Sequence, residues 1–227
     1  MSAETIEKAL EKKPAEAMLS KRRRKLVADP LVDENPITVQ VLGICSALAV
    51  TTQMQPTLVM AISVTFVVAL SNFVISLMRN TIPSRVRIIV QLAVVATLVT
   101  LVSELLKAFA YDMYKELSVF IGLIITNCIV MGRLEAFAMG NKPYDSMLDG
   151  LGSALGYSWI ILTVAFFREL WGSGSVFGIQ VFDFLSGLIG PDFHLATNGL
   201  MVTPVGAFII LGLIVWVQRT KTGYVEH

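Results

Sequence analysis

Six apolar segments, at about residues 37–52, 57–78, 88–106, 117–132, 147–167 and 199–218, constrain this chain more than anything else in it. Crossing a hydrocarbon layer about 30 Å thick takes about 20 helical residues at about 1.5 Å per residue. Segments two, five and six reach that length, and the third nearly does. Segments one and four hold about 16 residues each, or about 24 Å of helix. Those two short segments carry the only cysteines of the chain, Cys45 and Cys128. Composition agrees with a membrane location: only 15% of the 227 residues are charged, against about 25% in soluble domains.

The short segments occupy matching places. Each begins a set of three, and three spans per set turn the second set upside down relative to the first. Short or broken spans at corresponding points of two halves point to a midplane site in inverted-repeat membrane proteins. The expected fold is therefore an all-α integral membrane protein. It has six transmembrane helices in two inverted three-helix repeats, at about 36–110 and 116–220, with the first and fourth helices short or broken. Residues 1–35 form a basic N-terminal tail, 36–220 the membrane domain and 221–227 a C-terminal tail.

Lysine and arginine counts orient the chain. With both termini in the cytoplasm, fifteen lie inside and three, Lys107, Lys115 and Arg168, lie outside. Without the tail the ratio is seven to three. The run Lys21, Arg22, Arg23, Arg24 and Lys25 sets topology and secondarily attracts anionic lipid. A secretory signal over 21–49 is not expected, because the polar region before it is long and five more apolar segments follow. The stretch 170–198 is too apolar for a free loop and is expected to lie along the outer interface or on a partner.

Cys45 and Cys128 admit three readings: packing as small hydrophobes, an intramolecular disulfide, or a metal centre between the halves. Two thiolates do not complete such a centre, since [2Fe–2S] clusters take four cysteines. His194 and His227 lie outside the spans and are poor candidates for the missing pair, so a partner supplies the other two cysteines or the site is not of this kind. Asn127 either donates to a sulfur or caps a helix at a break. Gly43 and Gly122 each precede a cysteine and permit a break or a close approach. Gly152 and Gly156 form a small-xxx-small packing pair. Glu104 and Lys107 read as a local pair. Asp149 reads as a helix N-terminal acid or a point where a cation enters, and Arg133 and Glu135 as interface anchors. No nucleotide-binding glycine motif, soluble metal motif or nucleic-acid partner is expected, and no catalytic residue or substrate site is assigned.

The stretches "LGICSALAVT" (42–51), "PSRVRIIVQ" (83–91), "KELSVFIGLIITNCIVMGR" (115–133), "LDGLGSALGYS" (148–158) and "RELWGSG" (168–174) resemble one family over roughly residues 30–220. It is the family that unites the D subunit of the bacterial sodium-translocating NADH:quinone reductase with the E subunit of the Rnf electron-transport complex. The Rnf sister tends to have proline after the first cysteine; Ser46 stands there here, which favours the quinone reductase branch. The resemblance implies a multi-pass component of a six-subunit complex in the bacterial inner membrane. It implies Cys45 and Cys128 as ligands of a [2Fe–2S] centre shared with a homologous membrane partner, the reductase's own E subunit, which supplies two further cysteines. Asn127 would sit beside that centre. Electrons would cross the membrane through it, coupled to sodium transport. NADH, FAD, covalent FMN, riboflavin and ubiquinone would belong to other chains, the A, B, C and F subunits among them. The alternatives are the Rnf protein, a redox-inert inverted-repeat transporter, and a purely structural membrane component.

Overall fold

Apolar runs become helices here because every backbone N–H and C=O must find a partner within the segment. In the computed structural model, residues 21–32, 34–83, 85–109, 111–172, 175–176, 179–180 and 199–222 are described. The helices are α1 (Lys21–Val32), α2 (Ile44–Val50), α3 (Met54–Met78), α4 (Arg87–Phe109), α5 (Tyr111–Ile125), α6 (Cys128–Arg133), α7 (Pro143–Gly172), α8 (Gly199–Val202) and α9 (Pro204–Thr222). A π-helical turn, Leu134–Ala138, extends α6. Two short antiparallel strands, β1 (Ser175–Val176) and β2 (Ile179–Gln180), pair Ser175 with Gln180 and Val176 with Ile179.

Among the described residues four stretches are long and apolar enough to span a membrane: Met54–Met78, Arg87–Phe109, Ser118–Ala138 and Pro143–Gly172, with a shorter apolar helix over Pro204–Thr220. These coincide with expected segments two to six. The first segment holds only the seven-residue α2, entered through irregular backbone at 34–43. The fourth is a helix interrupted at 126–127, immediately before Cys128. The expectation for the outer stretch falls mostly outside the described residues, as do His194 and His227.

α3 and α7 form the centre and run antiparallel. Met54 N at the start of α3 donates to Glu169 Oε2 near the end of α7, 2.6 Å. Midway, Ser158 Oγ lies 3.3 Å from Thr65 Oγ1. Asn72 Nδ2 near the end of α3 donates to Ser146 O at the start of α7, 3.2 Å. Each helix thus anchors its beginning on the end of the other. Val64, Val67, Val68, Ile75, Ala154, Ile161 and Val164 fill the space between and around them, all fully or nearly fully buried. Proline opens α7 and α9, where its missing N–H would have no intrahelical partner in any case.

Gly152 and Gly156 do form a packing surface, and its partner is α1. A β-carbon on Gly152 would stand 2.7 Å from Leu26 O, and one on Gly156 would overlap Pro30 O. The order of these contacts makes α1 run parallel to α7. Pro30 has no N–H, so the Leu26 carbonyl is released from the helix ladder and can sit against a glycine backbone. Asn35 then ties the exit of α1 down, donating from Nδ2 to Gly156 O at 3.1 Å and accepting from Ile37 N at 3.0 Å. Gly156→Val is expected to undock α1. Overpacking of about 1–3 kcal/mol should speed limited trypsin cleavage after Lys25 about tenfold; cleavage at the wild-type rate would show that the glycine seat is dispensable.

Candidate metal half-site

Cys45 lies in the first turn of α2 and Cys128 opens α6. The backbone arrives at α2 through two left-handed residues, Val41 at φ 58° and Gly43 at φ 79°. Glycine adopts that conformation freely, whereas a β-branched valine does so at a cost of about 1–3 kcal/mol. The break expected at Gly43 is therefore present. Gly122 is different: it is exposed, and a β-carbon there would meet nothing within 4 Å. It makes no close approach, because the fourth segment breaks five residues later, at Asn127.

These two turns bring the sulfurs to 3.9 Å, although the residues are 83 apart in sequence. Both thiols are free and both cysteines are exposed, while Ser46, Asn127 and Ile129 beside them are buried. Two thiolates held by one tetrahedral metal at about 2.3 Å stand about 3.8 Å apart, so the pair fits a shared metal atom as it stands. Among the described residues no group of three or more His, Cys, Asp or Glu forms a metal site. The pair presents two thiols on an open face.

Asn127 caps α6, its Oδ1 accepting from Ile129 N at 3.3 Å. Its Nδ2 is buried and makes no hydrogen bond among the described residues. Leu42, ahead of Cys45, packs its side chain 3.1 Å from where a β-carbon of Gly132 would stand, so the two cysteine segments touch beyond the sulfurs.

Two charges prove to be interior rather than interfacial. Arg133, the last residue of α6, donates from Nη2 to Asp149 Oδ1 at 2.7 Å, and both residues are buried. Asp149 is thus an ion-pair partner on α7, not a solvated helix-start acid. Glu135 sits in the π turn, where it pairs with Arg87 and accepts from Gln91 Nε2 at 3.1 Å, instead of anchoring at an interface alone. Glu104 and Lys107 are both exposed and form no ion pair with each other; an exposed i,i+3 pair gains too little to hold two long side chains together.

Sequence patterns also passed over Arg168. Only 1% of it is exposed. Its guanidinium donates to Leu48 O (3.2 Å) and Thr51 Oγ1 (2.6 Å) at the end of α2, and to Met201 O (3.1 Å), Val202 O (2.6 Å) and Thr203 O (3.3 Å) around α8. Helix ends leave carbonyls without partners, and one planar five-donor group satisfies several at once. The available signal was an arginine at the close of a long apolar run, where water and helix ends are both within reach. α7 therefore holds α2 through Arg168 and α6 through Asp149, and each of those short helices carries one cysteine.

An all-α membrane protein whose broken helices set two thiols at ligand spacing is the class these observations define. The family profile described as "Rnf-Nqr subunit, membrane protein" matches residues 23–215. This chain belongs to that family. It is similar to the D subunit of the Na(+)-translocating NADH-quinone reductase of Photobacterium profundum, 52% identical over 200 residues, covering 88% of this chain and 93% of the relative. The same protein of Aeromonas hydrophila is 55% identical over 198 residues (87% and 92%), and that of Pasteurella multocida is 53% identical over 208 residues (91% and 98%).

Proposed function

We propose that this chain is the membrane component of a sodium-translocating NADH:quinone reductase that supplies Cys45 and Cys128 as half of a four-thiolate [2Fe–2S] centre. The observation that carries the reading is the 3.9 Å spacing of the chain's only two thiols, built from two separate breaks in apolar segments. When bound, such a centre passes single electrons through the membrane toward a flavin on the far side. Everything else on this chain is support. α2 and α6 aim the thiols to one side, Arg168 and the Arg133–Asp149 pair fix the far ends of those helices, and Asn127 Nδ2 offers a donor of the kind that steadies charged sulfur. The remaining two cysteines come from the homologous E subunit. NADH, FAD, FMN, riboflavin and ubiquinone stay on other chains, so this chain holds no complete active site.

The test is the iron and acid-labile sulfide content of the purified complex. Two irons and two sulfides per complex should be missing from the Cys45→Ala variant. Equal contents in both complexes would return the cysteines to packing.

The same reading makes the chain a six-span inner-membrane protein in two inverted halves with both termini in the cytoplasm. The reciprocal anchoring of α3 and α7 supports it, and so does the excess of Lys and Arg on one side. A periplasm-dependent reporter fused after His227 should be silent, and an active fusion would refute the orientation.

A further inference from the structure

Tyr157 is fully buried at the middle of α7. A tyrosine hydroxyl in such a place needs a partner, and Ser46 Oγ stands 2.7 Å away. Ser46 Oγ also lies 2.9 Å from Gly43 O. A serine hydroxyl has one proton and a carbonyl only accepts. The serine proton therefore goes to Gly43 O, and Tyr157 is the donor to Ser46. The outcome is a directed chain, Tyr157 O–H to Ser46 O–H to Gly43 O. That carbonyl also accepts Ala47 N at 3.1 Å, in the first turn of α2. Cys45 lies within the same turn.

The ring of Tyr157 performs a second task. A β-carbon on Gly43 would stand 2.9 Å from Tyr157 Cε2 and 3.3 Å from Asn127 Oδ1. Ring and amide thus close on one point, which only glycine leaves free. Asn127 caps α6, and Cys128 is its first residue. Tyr157 on α7 and Asn127, the cap of α6, thus both border Gly43, at the entry to the turn that carries Cys45.

We infer that Tyr157 is a positioning residue for the thiol pair: its hydroxyl holds the first turn of α2 through Ser46, and its ring packs on Gly43 beside Asn127. The meaning of this for an iron centre rests on the proposed function, whereas the spacing itself does not involve iron.

The experiment uses the full-length chain in detergent without metal or partners. Copper–phenanthroline and dioxygen oxidise the two thiols: one S–S bond forms, two S–H bonds break with release of two protons, and two electrons pass through copper to dioxygen. The rate reports how often the sulfurs meet. Tyr157→Phe keeps the ring and removes the donor, and Ser46→Ala removes the acceptor. Loss of one buried hydrogen bond should slow cross-linking about fivefold in Tyr157→Phe, and Ser46→Ala, which also loses the bond to Gly43 O, should be slowed at least as much. The double variant should be no slower than Ser46→Ala, because that variant already deletes the bond that Tyr157→Phe removes. Circular dichroism should match wild type throughout. An unchanged or faster rate in Tyr157→Phe, or additive losses in the double variant, overturns the inference. In the assembled complex, Tyr157→Phe should keep its iron while shifting the paramagnetic resonance spectrum and midpoint potential of the centre. An unchanged spectrum overturns the inference for the loaded site. Iron retained in Cys45→Ala would overturn the ligand reading alone and leave the cross-linking result standing.

Discussion

A complex carrying Cys128→Ala should assemble, oxidise NADH with an artificial acceptor at full rate, and reduce quinone only at background. The split follows from where the thiol stands. Cys128 is exposed on an open face and its sulfur meets that of Cys45, so its truncation removes little packing. Asn127 still caps α6 through Ile129 N, so the local backbone is expected to survive. What disappears is one of this chain's two thiols, and a pair at metal spacing becomes a lone thiol. On the proposed reading NADH chemistry lies on another chain, upstream of the membrane step, and is untouched. Cys45→Ala should behave identically. Normal quinone reduction in either well-assembled variant would refute the ligand assignment, and loss of both activities would indicate failed assembly instead.

How much of this was legible in the sequence varies by residue. The helices α3, α4 and α7 were readable because a long apolar run has only one way to satisfy its backbone in hydrocarbon. The breaks beside Cys45 and Cys128 were legible in the shortness of their two apolar segments, whereas the meeting of the sulfurs was one of three readings the residues left open. α1 was not. Its basic beginning and Pro30 argue against a docked helix, and the glycines that receive it announce packing without naming a partner. Arg133 was misplaced and Arg168 passed over for a related reason: an arginine at the end of an apolar run looks the same whether it turns to water or inward. Tyr157 carries no pattern at all, because its role depends on a serine 111 positions away.

Arg133→Ala should damage this chain more than any other single charge removal within the Arg133–Asp149 pair's surroundings. Taking the arginine away leaves the Asp149 carboxylate buried with no counter-charge, at a cost of about 3–5 kcal/mol. For a chain of this size that is a fall of about 10 °C in the melting temperature of the purified complex. The pair is far from ideal even when intact. It is joined through one contact, and Arg133 Nε and Asp149 Oδ2 are both buried without a hydrogen bond among the described residues. An apolar pair of similar volume, Arg133→Met with Asp149→Leu, removes those buried polar atoms together and should recover most of the lost stability. The consequence for the thiols follows from the brevity of α6, which has six residues with Cys128 at one end and Arg133 at the other. Releasing its far end frees the cysteine, so Arg133→Ala should lose iron, and the double variant should regain it. A single variant that melts with wild type would show that the ion pair does not hold α6. A double variant that is stable yet iron-free would show that Cys128 depends on the charges themselves rather than on the anchoring they provide.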